Sequence, residues 1–154
     1  MAGYKIKRSI TLNGSRYRSL HRAILNMPTT ISIAVCRGDP LDYIKLRHVA
    51  LHFVYPDGGQ SLMHVVGSHG FFEFANEGKD PTKSEKLAGI VHVSTAPDSI
   101  LIVASETACA HTPVRKDAEH QEGNCEIWVE KALGALQPTG FLSAQQCRST
   151  GQSA

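Results

Sequence analysis

His48-Val49-Ala50-Leu51-His52-Phe53-Val54-Tyr55-Pro56-Asp57-Gly58-Gly59-Gln60-Ser61-Leu62-Met63-His64-Val65-Val66 is the stretch whose reading decides the fold. Two apolar runs, 46–55 and 60–66, flank a Pro-Asp-Gly-Gly sequence. Proline presets the turn's backbone, aspartate bonds forward to it, and glycine takes conformations closed to other residues, so the segment predicts a β-hairpin. Residues 48, 50, 52 and 54 then share one face of their strand. Loop length decides which histidine His64 meets. A three-residue loop (57–59) sets His64 opposite His52. A five-residue loop (55–59) pairs Val54 with Gln60 and sets His64 opposite Ala50, diagonal to both His48 and His52. A two- or four-residue loop turns His64 to the other side.

Working outward, residues 4–12 alternate and predict a strand closed by Asn13-Gly14, and Ser15 caps a helix running to about Asn26. Thr29 to Cys36 is rich in β-branched residues and predicts a strand ended by Arg37-Gly38-Asp39-Pro40. Residues 71–74 extend the sheet, 76–86 read as a polar surface loop, and 90–94 and 100–105 read as two short strands. The polar stretch 109–123 reads as a long loop. Asn124 then starts a helix in which Cys125, Val129, Ala132 and Leu136 recur at helical spacing, with Trp128 and Leu133 beside them. Gln137-Pro138-Thr139-Gly140 ends it, and the tail from Ser143 reads as frayed. The pattern is a single α+β domain over residues 1–154, an antiparallel sheet packed against helices on one face.

Composition narrows the function classes. Of the 154 residues, 42% are hydrophobic and 19% charged, which is the ordinary globular range and argues against disorder. A net charge of +2, with basic residues scattered, gives no footprint for nucleic acid. No apolar run is long enough to span a bilayer, and the first residues lack the pattern of a secretory signal, so a cytoplasmic protein is expected. The four cysteines (Cys36, Cys109, Cys125, Cys147) lack paired metal-ligand spacing and are expected as free thiols. His48 and His52 are four apart, but on a strand that separates them by about 13 Å, too far to share one ion. No metal or other cofactor is expected.

Cys125 differs from the other three in position. A helix start supplies partial positive charge and unpaired N–H groups, which favour thiolate over thiol and can also receive an oxyanion. Periodicity turns Cys125 toward whatever the helix packs on. If that is the 46–67 hairpin, the sulfur faces the strand histidines, one serving as base and another orienting it. His48 is the base with the five-residue loop, and His52 with the three-residue loop.

These residues resemble a known family pattern. His48-Val49-Ala50-Leu51-His52-Phe53-Val54, then Met63-His64-Val65-Val66, then Asn124-Cys125-Glu126-Ile127-Trp128-Val129 are similar to the motifs of permuted papain-like cysteine enzymes. The nearest groups are the NlpC-like superfamily, and within it the lecithin:retinol acyltransferase-like proteins, with PPPDE-type peptidases as neighbours. The resemblance covers about residues 46–136. It implies a permuted papain-like fold, with Cys125 as nucleophile, His48 as base and His64 as third member. Val49 stands where the acyltransferases carry Trp, and Ile127 where they carry His. The implied activity is thiol-dependent hydrolysis or acyl transfer on a small-molecule or peptide amide, ester or thioester. A non-catalytic binding member of the same fold, or a cyclase or isomerase, are the alternatives.

Overall fold

Pairing of the β-branched and aromatic segments generates one five-stranded sheet, entirely antiparallel, in the computed structural model, which describes residues 28–44, 47–67, 71–96, 101–114 and 124–142. The strands are β1 (Thr29–Cys36), β2 (His48–Val54), β3 (Gln60–Val66), β4 (Glu73–Glu77) and β5 (Leu87–Ala96). Their spatial order is β4-β3-β2-β1-β5. Two helices follow, α1 (Leu101–Ala110) and α2 (Asn124–Leu136). This is an α+β arrangement.

The hairpin adopts the register of the five-residue loop, with Val54 opposite Gln60 and Leu51 opposite Met63. The Tyr55 N–H donates to the Gly59 carbonyl at 2.8 Å and closes the turn. Asp57 accepts from the Gly59 N–H at 2.8 Å, the local bond expected of a turn aspartate. Gly58 sits at φ +83°, a conformation that a side chain would oppose.

This register sorts the side chains onto two faces. Ile31 lies opposite Phe53, Ile33 opposite Leu51, and Leu51 opposite Met63, so the odd-numbered residues of β1, β2 and β3 form one apolar face. Against it α2 packs Trp128, Val129, Ala132, Leu133 and Leu136, all buried. The Trp128 ring lies 5.6 Å from that of Phe74. Full burial of a Val or Leu side chain stabilises by about 1.5–3 kcal/mol, which fixes the helix to this face. The even-numbered residues, including Cys36, His48, His52 and His64, occupy the other face. There Ala34 and Ala50 are buried too, but outside the cluster that joins sheet to helices.

Three sequence expectations are corrected. Residues 100–105 read as a strand, yet 101–110 form α1. Among the positions whose burial is described, Ser105, Cys109 and, just beyond its end, Thr112 are buried, a helical spacing carried by small and polar residues, while Val103 in the apolar run is 69% exposed. Cys109 therefore lies in the last turn of a helix and does not open a loop. The loop placed at 76–86 begins later, because β4 continues through Glu77. It also holds a 3-10 turn at Pro81–Lys83, capped by Asp80 accepting from the Thr82 N–H. The expected strand at 4–12, the helix at 15–26 and the tail from Ser143 lie outside the described residues.

Leu51→Ala deletes a fully buried side chain at the centre of the helix-facing sheet. Urea unfolding should show a loss of about 2–5 kcal/mol, while Glu85→Ala on an exposed turn changes stability by less than about 0.5 kcal/mol.

Candidate functional site

Antiparallel pairing brings the first residue of β2 toward the last residues of β3, so His48 and His64 lie at the same end of the hairpin and on the same face. His48 Nε2 stands 2.7 Å from His64 Nδ1. The rings meet edge-on, with centroids 4.9 Å apart and an interplanar angle of 67°. A contact this short between ring nitrogens needs one N–H and one lone pair, so one ring donates and the other accepts.

The strand beyond extends the row. Glu77 pairs with Leu62 across β3 and β4, which sets it on the histidine face. Its Oε2 lies 3.6 Å from His64 Nε2. That nitrogen is buried and has no hydrogen-bond partner among the described residues. Lys79 reaches the same Oε2 at 2.8 Å, and its hydrogen bond holds the Glu77 carboxyl below the usual carboxylate range. Burial is the chief cause lowering the pKa of both imidazoles. For His48 a charged His64 adds to the shift and Glu77 opposes it. For His64, Glu77 opposes and Lys79 adds.

His52, the rival base, is engaged elsewhere. It is buried and bonds through Nε2 to Gln60 Oε1 at 2.8 Å. The five-residue register thus joins His64 to His48 and leaves His52 to Gln60.

Cys125 lies in the first turn of α2, half-buried, and its thiol donates to the Arg47 carbonyl at 3.8 Å. That carbonyl belongs to the peptide joining Arg47 to His48. Standard peptide geometry puts a carbonyl oxygen about 2.8 Å from the following Cα, so the sulfur is within about 7 Å of the His48 Cα. The Arg47 side chain is anchored by two bonds to Asp42, at 2.9 and 2.8 Å, and Asp42 also accepts from the Gly38 N–H at 3.1 Å. This chain of contacts pins the approach to β2.

The sequence placed Cys125 facing the histidines across the helix–sheet interface. The helix does pack on the hairpin, but on its odd-numbered face, and the histidines occupy the other. The thiol meets the Arg47 carbonyl just before β2, with no thiol–imidazole hydrogen bond among the described residues.

Two further residues belong to this neighbourhood. Cys36 pairs directly with His48 across β1 and β2 and shares its face. Burial pushes its thiol up, against a smaller opposite pull from Lys86. Glu77 was absent from the sequence reading because Gly78 and Pro81 marked its surroundings as loop. The alternation of Phe72 and Phe74 with Glu73, Ala75 and Glu77 was the available signal.

The remaining thiol and histidines stand apart. Cys109 is buried against the core and its pKa is pushed up to about 12, mainly by burial. His92 bonds Thr95, and His111 bonds the Thr107 carbonyl, both exposed. His69, His120, Gln121, Cys147 and the Asn124 side chain lie outside the described residues. Among the described residues no group of three His, Cys, Asp or Glu could hold a metal, and no helix is long and apolar enough to cross a membrane. No family model, curated protein or solved structure matches the chain.

The lowered histidine pKa values make stability depend on pH. Unfolded histidine titrates near 6.5, and His48 and His64 titrate lower in the fold, so in that window the unfolded chain binds more protons. Stability is therefore full above about pH 7 and is lost as pH falls below about 6.5. Urea midpoints measured from pH 7.5 to 5.5 should decline in the wild type and decline less in His64→Gln. A flat wild-type profile would contradict the assignment.

Proposed function

We propose that the chain is a cysteine-dependent acyl-group enzyme in which Cys125 is the nucleophile, His48 the base and His64 the residue that orients the base, within a permuted papain-like arrangement. The observation that carries this reading is the 2.7 Å contact between His48 Nε2 and His64 Nδ1. It occupies the nitrogen of His48 nearest β3 and leaves Nδ1 without a hydrogen bond among the described residues. A base needs one nitrogen held and the other free, and His48 meets that condition. His52, tied to Gln60, lacks the His64 contact.

Two facts connect the base to the thiol. The Cys125 sulfur rests on the carbonyl of the peptide that leads into His48, within about 7 Å of the His48 Cα, so thiol and imidazole lie at the same end of β2. Catalytic contacts of this kind commonly tighten only when substrate binds. Cys125 also sits in the first turn of a 13-residue helix, whose unpaired N–H groups and dipole stabilise negative charge on sulfur or on an oxyanion.

The chemistry follows from these parts. The thiol proton passes to His48 Nδ1, and sulfur attacks the acyl carbonyl to give a tetrahedral oxyanion beside the helix start. Its collapse expels the leaving group, which takes the proton back from His48, and a thioester remains on Cys125. Water or an amine, deprotonated by His48, then attacks the thioester and releases the thiol. The substrate class is a small-molecule or peptide amide, ester or thioester.

A second reading gives the nucleophile to Cys36, because register sets it opposite His48 on the same face. The two readings differ in one experiment. After incubation with p-nitrophenyl acetate, peptide mass spectrometry should find acetyl on Cys125, absent in Cys125→Ala and reduced by about a hundredfold or more in His48→Ala, the lower end of a general base's contribution. Acetyl on Cys36 would transfer the role to that residue. No acetylated cysteine in the wild type would remove the thiol-enzyme reading altogether.

A further inference from the structure

We infer that Glu77 is a positioning residue that fixes the tautomers of the His64–His48 pair and thereby keeps the lone pair of His48 on Nδ1. Its importance for chemistry rests on the proposed role of His48, while its geometry does not.

The placement of two protons decides whether His48 can act as a base. Two neutral imidazoles joined through His48 Nε2 and His64 Nδ1 have two arrangements. In the first, His48 donates from Nε2, His64 accepts on Nδ1, and His64 carries its own proton on Nε2. His48 Nδ1 is then bare and can accept a proton. In the second, His64 donates from Nδ1, its Nε2 is bare, and His48 carries its proton on Nδ1. Only the first arrangement leaves His48 a base toward the thiol.

Glu77 separates the two. Its Oε2 stands 3.6 Å from His64 Nε2, a buried nitrogen with no hydrogen-bond partner among the described residues. An ionised carboxylate only accepts, so it favours an N–H at that nitrogen and opposes a lone pair there. Its charge is kept by Lys79, 2.8 Å away on the same oxygen. The preference passes along the row: N–H on His64 Nε2, lone pair on His64 Nδ1, N–H on His48 Nε2, lone pair on His48 Nδ1. The elements that impose the row are the registers of β4 on β3 and of β3 on β2. Glu77 touches neither sulfur nor substrate in this scheme and acts through the two rings.

Glu77→Gln keeps the length and shape of the side chain but replaces a pure acceptor with a group that accepts or donates equally well. Long-range ¹H–¹⁵N spectra of the full-length labelled chain at pH 7.5 report which nitrogen of each imidazole carries hydrogen. The wild type should show His48 and His64 protonated at Nε2, with His48 Nδ1 bare. Glu77→Gln should lose that single state and show His48 as a mixture. Iodoacetamide labelling of Cys125 should slow by about twofold or more, since about half of the molecules then carry the proton on Nδ1. A wild-type His48 protonated at Nδ1, or tautomers unchanged in Glu77→Gln, would overturn the inference. If the tautomers respond while wild-type Cys125 labels no faster than Cys36, Glu77 keeps its role and the Cys125 reading fails.

Discussion

The pairing of Val54 with Gln60 is the constraint on which the site depends. A strand has a side-chain period of two, so a slip of one residue would send His64 to the helix-facing side, into space filled by Met63 and Val65. A slip of two toward the three-residue loop would keep His64 on its face but bring it opposite His52 and away from His48. The turn holds the pairing through the Tyr55–Gly59 bond, the Asp57 bond and the positive φ of Gly58. Apolar matching of Leu51 with Met63 holds it from the strands. A contact between two histidines sixteen residues apart is thus set by a turn at the far end of the hairpin.

The same alternation separates the two tasks of the sheet. One face packs on α2 and supplies the core; the other presents the polar row of Cys36, His48, His64 and Glu77, one residue from each of four neighbouring strands. Burial lowers the proton affinity of both imidazoles, which keeps them neutral near pH 7 and able to accept a proton. α2 reaches this row only at its first turn, where Cys125 meets the Arg47 carbonyl. The helix is anchored along its length by Trp128, Val129, Ala132 and Leu136, so the position of the thiol follows from core packing.

Much of this was legible in the sequence. The β1 and β3 boundaries, the hairpin and the apolar face of α2 follow from β-branched runs, turn residues and helical spacing. The choice between His48 and His52 was legible only as a condition, because sequence leaves turn length open. α1 escapes a sequence reading because Ile100-Leu101-Ile102-Val103 has the look of a strand, while Val103 is exposed and the modest Ser105 and Cys109 are buried. Glu77 was lost with the end of β4. The side of the sheet chosen by α2 was also hidden, since both faces of β2 carry residues fit for burial, with Ala50 and His52 on one and Leu51 and Phe53 on the other.

The central claim is that the thiol at the start of α2 and the imidazole at the start of β2 work on one another. The separation of Cys125 Sγ from His48 Nδ1, measured in crystals of the protein carrying a covalent acyl adduct on its reactive thiol, tests this most directly. The adduct should lie on Cys125 with a separation within about 4 Å, the reach of a sulfur–imidazole proton transfer. A separation beyond about 8 Å, with the His48–His64 contact intact, would contradict it, since neither direct transfer nor one bridging water spans that gap.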